Sequence, residues 1–200
     1  MSQTIIPEKQ TVEICLKQKN YHIYFYQREY VWNKDTVETL LNDIFYTFEL
    51  SYAQYKDADL SQEILEKFNW YYLNIFITNN IGGKVYIVDG QQRLSTLTLI
   101  ATKLFHLTDN EDLKDTLKEC IYGKDKWKGN IFRLDHDKRK EVMKAILEGS
   151  EYKLPFKNKT EETLLLRYKD ISEYIDKQNL SGKRLDTFIS YFLERLVLVE

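Results

Sequence analysis

The stretch VYIVDGQQRLSTLTLI, residues 85–100, decides the fold because its hydrophobic pattern changes period in the middle. Its first five residues are rich in β-formers and predict a strand, whereas Leu94, Leu97 and Leu104 recur at the spacing of one helix face. Gly90 stands between the two patterns, and glycine permits the tight turn that such a junction needs. The stretch therefore predicts a strand, a turn and a helix in immediate succession.

On the N-terminal side, residues 71–78 predict a strand that pairs with 85–89 through a turn at Gly82-Gly83. Residues 22–26 predict a further strand. Asn33 is a candidate helix cap, since apolar residues follow it at three- and four-residue spacing. Residues 51–69 are polar and predict a loop or an irregular helix.

On the C-terminal side, helical patterns cover residues 137–148, 160–178 and 183–196, and they predict a bundle packed on the first region. The charges of Lys138, Arg139 and Lys140 favour the outside of a helix. We predict one domain over residues 1–109 and a helical region over 110–200. The last residues form an apolar run without a polar tail, which favours a chain cut from a longer protein.

The composition is that of a globular protein, with 43% hydrophobic and 30% charged residues. Only 7 Gly and 2 Pro supply turns, which favours a helix-rich α+β fold over a many-stranded barrel. Two cysteines without a metal-ligand spacing fit a reducing cytoplasm, and no segment predicts export or membrane anchoring. The formal charge of -2 excludes a global positive field, so contact with nucleic acid requires a local patch.

The turn after the predicted strand contains the candidate residues for binding and catalysis. The first N–H groups of the following helix have no acceptor within the helix, and Arg93 adds a positive charge beside them. This arrangement suits a phosphate. Asp89 would repel a bare anion, so its presence favours a nucleotide with Mg²⁺. The alternative is structural: Asp89 caps the helix and Arg93 pairs with a surface carboxylate.

A second polar and aromatic cluster precedes the helix that begins near Asn33. It lies in FYQREYVW, residues 25–32, and such a mixture suits a phosphate-binding or base-stacking surface. Its members are Tyr26, Gln27, Arg28, Tyr30 and Trp32. Two arginine-centred turns in one small domain could converge on one anion.

The two motifs together resemble a known family. YQREYVW, LLNDI, YYLNIFI and IVDGQQRLSTLTL match in order the N-terminal domain of GmrSD-type modification-dependent restriction proteins and SspE-like phage-defence proteins. This resemblance implies a small mixed sheet with flanking helices, of the ParB/sulfiredoxin-like kind. It also implies a D-G-Q-Q-R turn that binds nucleoside triphosphate with Mg²⁺ and supports its hydrolysis, near a site that senses DNA, including modified DNA.

Carried over by position, the resemblance assigns three sets of residues. Asp89, Gln92 and Arg93 are catalytic candidates, with Asp89 also a possible Mg²⁺ ligand. The phosphate-binding candidates are Gly90, Gln91, Gln92, Arg93, Gln27 and Arg28. The candidates for contact with DNA or nucleotide are Tyr26, Arg28, Tyr30 and Trp32.

The chain departs from the family at two points, since Asn74 replaces a usual glycine and Phe25 a usual proline. Nothing matches an H-N-H nuclease motif, and His22, His106 and His136 are isolated in the sequence. We therefore expect a separate nuclease domain or subunit to perform any DNA cleavage.

Three functions remain open from the sequence. The first is a domain that binds and hydrolyses a nucleoside triphosphate and regulates a restriction protein. The second is a binding module that binds a DNA backbone without catalytic turnover. The third is a structural domain of a defence complex.

Overall fold

The computed structural model describes residues 7–24, 29–125, 129–152 and 154–200. The strands are β1 (Lys9–Thr11), β2 (Tyr21–Ile23), β3 (Tyr71–Ile75), β4 (Ile77–Ile81), β5 (Lys84–Asp89), β6 (Tyr122–Asp125), β7 (Gly129–Phe132), β8 (Leu134–Asp135) and β9 (Leu196–Val199). The α-helices are α1 (Val12–Gln18), α2 (Lys34–Tyr55), α3 (Gln62–Leu65), α4 (Gln91–Leu107), α5 (Glu111–Ile121), α6 (Lys140–Glu148), α7 (Lys159–Asp176) and α8 (Gly182–Glu194). A 3₁₀ turn covers Asp137–Arg139.

The strands form two small sheets and a hairpin. The four-stranded sheet has the order β4-β5-β2-β8, in which β4 is antiparallel to β5 and the other neighbours are parallel. The three-stranded sheet has the order β1-β9-β3, and β6 pairs with β7. Helices pack around these sheets, so the predicted α+β class is confirmed.

The single strand predicted over residues 71–78 is wrong, because the chain changes sheets within it. β3 pairs with β9, whereas β4 pairs with β5. The backbone of Asn74 has a φ of 89°, a left-handed conformation that few residues other than glycine tolerate. The Asn74 side chain stabilises this turn by accepting a hydrogen bond of 2.8 Å from the N–H of Ile75.

Helix α2 begins where the sequence predicts. The side-chain oxygen of Asn33 accepts a hydrogen bond of 2.9 Å from the N–H of Thr36, which caps the helix. The polar region over 51–69 is partly helical, since α2 continues to Tyr55 and α3 follows.

Helix α4 lies in the core with most of its residues buried, including several with hydroxyl groups. The hydroxyls of Ser95, Thr98 and Thr102 each donate to the carbonyl four residues earlier, at 2.6, 2.9 and 2.8 Å. These bonds satisfy polar groups that would otherwise be costly inside a protein. A helix with this composition can therefore be buried on several sides.

The predicted C-terminal helices correspond to α6, α7 and α8. Buried side chains before and after residue 110, such as Leu104, Leu117 and Leu164, belong to one hydrophobic cluster. The boundary between residues 109 and 110 stays a prediction. Within the described ranges, every helix is too short or too polar to cross a membrane.

Gly90 forms the junction between β5 and α4. Its φ is 93°, and a Cβ at this position would lie 2.6 Å from the Cβ of Phe76 and 3.2 Å from its Cα. A side chain is therefore excluded both by the backbone conformation and by the approach of Phe76. The close packing of α4 on the β3–β4 junction requires glycine.

We expect Gly90→Ala to lower the free energy of unfolding by about 2 to 3 kcal/mol, because backbone strain and a steric clash add. The melting temperature should fall by roughly 4 to 12 °C. Gly83→Ala is the matched control, since Gly83 has a φ of 78° but open space around its Cβ position. Equal losses in the two variants would contradict a role for the Phe76 contact.

Candidate functional site

An open cleft of about 650 Å³ lies in front of the junction between β5 and α4. Three parts of the chain form it: the segment before α2, the β3–β4 junction and the β5–α4 turn. Its lining residues are Val31, Trp32, Asn74, Ile75, Val88, Asp89, Gly90, Gln91, Gln92 and Arg93. The cleft therefore contains the whole D-G-Q-Q-R motif, and its volume is in the range of small-molecule sites.

The N-terminus of α4 faces this cleft. Gly90 precedes the helix and offers no side chain to cap it, and the first intrahelical bond runs from the N–H of Leu94 to the Gly90 carbonyl. The amides of the first turn thus have no acceptor within the helix. Asp89 is exposed at the end of β5, while Gln91 is buried at the first position of the helix.

The guanidinium of Arg93 is held at the side of the cleft. Its Nη1 donates a hydrogen bond of 3.0 Å to the carbonyl of Ile75. Burial lowers the pKa of Arg93 from its ordinary value, while the nearby charge of Asp89 acts in the opposite direction. A guanidinium has five N–H donors, so the bond to Ile75 fixes its position and leaves donors for a ligand.

Gln92 connects the turn to the segment before α2. Its Oε1 accepts hydrogen bonds from the N–H groups of Val31, at 2.8 Å, and Trp32, at 3.4 Å. Its Nε2 donates to the carbonyl of Glu29 at 3.0 Å. The side-chain amide of Gln92 is therefore engaged with backbone 60 residues away, and a catalytic or phosphate-binding role for it stays a prediction.

The residues predicted in the second cluster have different positions. Trp32 lines the cleft and is partly buried. Tyr30 is only 1% exposed, and its hydroxyl lies 2.8 Å from that of Thr96 on α4. A ligand contact by Tyr30 stays a prediction that would require this ring to be uncovered. Tyr26, Gln27, Arg28 and the departure at Phe25 lie outside the described residues.

The walls of the cleft are apolar beside the polar turn. Val31, Ile75 and Val88 are 56%, 46% and 51% exposed, and they come from three different segments. Branched aliphatic side chains at this exposure offer a surface to an apolar or aromatic group of a ligand. The cleft therefore combines a helix N-terminus and an arginine with a surface suited to a flat apolar group.

Arg139 is a residue that the sequence pattern placed wrongly. The charge run 138–140 predicted the outside of a helix, but Arg139 is 4% exposed and its Nη1 donates to the hydroxyl of Ser95 at 2.6 Å. Burial lowers its pKa to about 10, and Tyr30 opposes this shift. Arg139 belongs to a 3₁₀ turn, which directs it toward α4 instead of solvent.

The buried guanidinium of Arg139 has an unusual environment. Its Nε has no hydrogen-bond partner, and we find no ion pair between Arg139 and a carboxylate whose side chain the structure describes. The hydroxyl of Ser95 accepts the hydrogen bond from Nη1 of Arg139 and donates in turn to the carbonyl of Gln91 in the first turn of α4. A positive charge thus lies behind the turn that faces the cleft.

The geometry fits an anionic ligand better than a dedicated metal site. Among the described residues, no group of three His, Cys, Asp or Glu side chains could hold a metal ion. Among the described residues that line the cleft, Asp89 carries the carboxylate. One carboxylate is sufficient for Mg²⁺ when phosphate oxygens and waters provide its other ligands, so Asp89 fits a magnesium ion that arrives with a nucleotide.

Comparison with known proteins identifies one family model. The model of the GmrSD restriction endonuclease, N-terminal domain, matches residues 12–200. No curated protein matches the chain. The match covers the cleft, both sheets apart from β1, and all of the helices described above.

We expect Gln92→Ala to release the segment over residues 29–32, because three hydrogen bonds to its backbone are lost. The amide of Val31 should exchange with solvent at least about fivefold faster, since a single such bond contributes about 1 kcal/mol. Hydrogen exchange followed by mass spectrometry or NMR measures this change. Gln54→Ala is the control, as the Gln54 side chain donates to the carbonyl of Leu50 within α2. Unchanged exchange at Val31 would contradict the role assigned to Gln92.

Proposed function

Because the chain belongs to the family of GmrSD restriction endonuclease N-terminal domains, we propose that it is the nucleotide-dependent regulatory domain of a restriction system. In this proposal the cleft binds a nucleoside triphosphate with Mg²⁺ and supports its hydrolysis. DNA, including modified DNA, is a further partner, and a nuclease domain or subunit performs the cleavage.

One observation carries the proposal: the first turn of α4 and the Arg93 guanidinium open into the same cleft. Helix N–H groups that have no acceptor within the helix favour an anion, and the helix dipole contributes about 0.3 to 1 kcal/mol. A charge-assisted hydrogen bond from an arginine contributes about 1.5 to 3 kcal/mol. Phosphate groups match this combination of donors and positive charge.

The apolar walls favour a nucleotide over inorganic phosphate. Val31, Ile75 and Val88 offer a surface that a free phosphate could not use. A nucleobase has two flat faces and would cover such side chains while the phosphates lie at the helix N-terminus. The cleft volume of about 650 Å³ is large enough for both parts.

Each residue of the motif has a distinct task in this proposal. Gly90 permits the turn, and the amides of residues 91–93 hold the phosphates. Arg93 stabilises the negative charge that develops as the terminal phosphoryl group is transferred. Asp89 orients the attacking water or holds Mg²⁺, which when bound would neutralise phosphate charge. Arg28 and Gln27 are proposed to contact the same phosphates.

We expect Arg93→Ala to reduce phosphate release from GTP, ATP or CTP at least about tenfold, since a tenfold loss corresponds to about 1.4 kcal/mol, less than one charged hydrogen bond. Arg133→Ala is the matched control. Arg133 is also an arginine that donates to a backbone carbonyl and whose pKa is lowered by burial, but it lies outside the cleft. Equal rates in wild type and Arg93→Ala would remove Arg93 from the mechanism.

The same experiment separates hydrolysis from a binding function. A domain that only grips a DNA backbone would release no phosphate, and its affinity for a DNA duplex would fall steeply as salt increases. The partly buried Trp32 at the cleft is compatible with stacking on a base in either case. Phosphate release that depends on Arg93 favours the nucleotide.

We also expect Arg139→Met to preserve the free energy of unfolding within about 1 kcal/mol or to raise it, because a buried charge that has no carboxylate partner among the described side chains is replaced by a side chain of similar volume. The Michaelis constant for the nucleotide should rise about fivefold, which corresponds to about 1 kcal/mol of lost electrostatic attraction. Arg139→Lys, which retains the charge, is the control. Thermal melting and initial rates measure the two effects, and a large loss of stability with an unchanged Michaelis constant would show a purely structural role.

A further inference from the structure

The segment before α2 forms one wall of the cleft through Val31 and Trp32. Gln92 of α4 holds this segment by the three hydrogen bonds described above. A second helix bonds to the segment as well, since Nη1 of Arg167, on α7, donates to the carbonyl of Trp32 at 3.5 Å. The N–H and the carbonyl of Trp32 are therefore attached to two different helices.

Arg167 is itself held by a carboxylate on its own helix. Its Nε lies 2.6 Å from Oδ2 of Asp170, and the two side chains are 15% and 14% exposed. Oδ1 of Asp170 lies 3.7 Å from Nζ of Lys34, the first residue of α2. Charges shielded from water to this degree attract each other more strongly than a pair on the surface. The pair therefore connects α7 to the chain on both sides of the Asn33 cap.

The buried ring of Tyr30 gives the segment a further contact with this region. Its hydroxyl lies 2.8 Å from that of Thr96 on α4. Burial raises the pKa of Tyr30 to about 12, while the contact with Thr96 and the nearby charge of Arg167 act in the opposite direction. The start of the segment is thus close to both α4 and α7.

We propose that Arg167 is a positioning residue of the cleft, and that the Arg167–Asp170 pair couples the position of this wall to α7. Arg167 is not among the described residues that line the cleft, so it acts on a ligand through the backbone of Trp32. This role rests on the proposed function in one respect, since the ligand of the cleft is taken to be a nucleoside triphosphate.

The coupling acts in both directions, as any coupling between two sites must. A ligand that contacts Val31 and Trp32 restricts the segment and hence the guanidinium of Arg167. A displacement of α7 loosens the same wall and weakens the binding of the ligand. Because α7 also packs against α4 and α6, the occupancy of the cleft is transmitted to the C-terminal helices. A regulatory domain requires such a connection.

Hydrogen exchange of the ligand-free chain tests the positioning role. Arg167→Met combined with Asp170→Asn removes both charges together, so that neither is left buried alone. We expect the amides of Val31 and Trp32 to exchange at least about threefold faster in this double variant, because the segment loses its attachment to α7. Unchanged exchange at these amides would overturn the role of Arg167.

Arg184→Met combined with Glu49→Gln is the matched control. Arg184 also donates to a backbone carbonyl, that of Gln178, and pairs with a carboxylate. Its partner Glu49 lies on α2 but about 22 Å along the helix from Lys34, at 1.5 Å per residue. The control should leave the exchange of the two cleft-wall amides unchanged.

Kinetics test the consequence for the ligand. In Arg167→Met with Asp170→Asn, the Michaelis constant for the nucleotide should rise at least about threefold while kcat changes less than about twofold, because the wall contacts the ground state and the transition state alike. A purely structural role would instead lower kcat through the unfolded fraction and leave the Michaelis constant unchanged. An unchanged Michaelis constant in a variant that is folded by circular dichroism would contradict the coupling.

Exchange with a bound ligand separates this coupling from the proposed function. The probe is Mg²⁺ with the β,γ-imido analogue of GTP, ATP or CTP, whichever the wild type hydrolyses fastest. We expect protection at residues 91–93 and at residues 166–170 of α7 in wild type, and at 91–93 alone in the double variant. Protection at 91–93 without a change at 166–170 in wild type would overturn the coupling. No protection at 91–93 would overturn the proposed function and the coupling with it, whereas the ligand-free exchange would still decide the role of Arg167.

Discussion

The approach of the Gly90 backbone to Phe76 determines the geometry of the cleft. Phe76 is 1% exposed, and its N–H donates to the carbonyl of Val199, so it is bound to the three-stranded sheet while β4 continues into the other. Gly90 lies against this junction, and Arg93 donates to the neighbouring carbonyl of Ile75. The start of α4 is therefore fixed relative to both sheets through two adjacent residues.

The sequence predicted the local elements better than their partners. The Asn33 cap, the helix after Gly90 and the C-terminal helices follow from short-range periodicity and capping, and the structure contains them. The break at Asn74 was missed because the apolar pattern continues through a left-handed backbone position. Hydrophobic periodicity alone does not reveal that a strand changes sheets.

The candidate site shows the same difference between features set by neighbouring residues and contacts between residues far apart in the sequence. The turn and the helix amides without an intrahelical acceptor could be predicted from residues 85–100, but the attachment of Gln92 to backbone 61 and 63 residues away could not. Arg139 was assigned to solvent because it lies in a run of charges, and only packing against Ser95 reveals that it is buried. A positive region built from oriented amides and two arginines is also compatible with a formal charge of -2, since it needs no excess of basic residues.

The hydroxyls that bond within α4 have a consequence for how a ligand would be received. Because Ser95, Thr98 and Thr102 satisfy their polar groups inside their own helix, α4 is held rigidly in the core without depending on neighbours for those bonds. The conformational entropy of ordering the turn between β5 and α4 is lost during folding, before any ligand arrives. The helix side of the cleft is thus preorganised, and adjustment to the size and shape of different ligands falls to the segment that Gln92 holds against it.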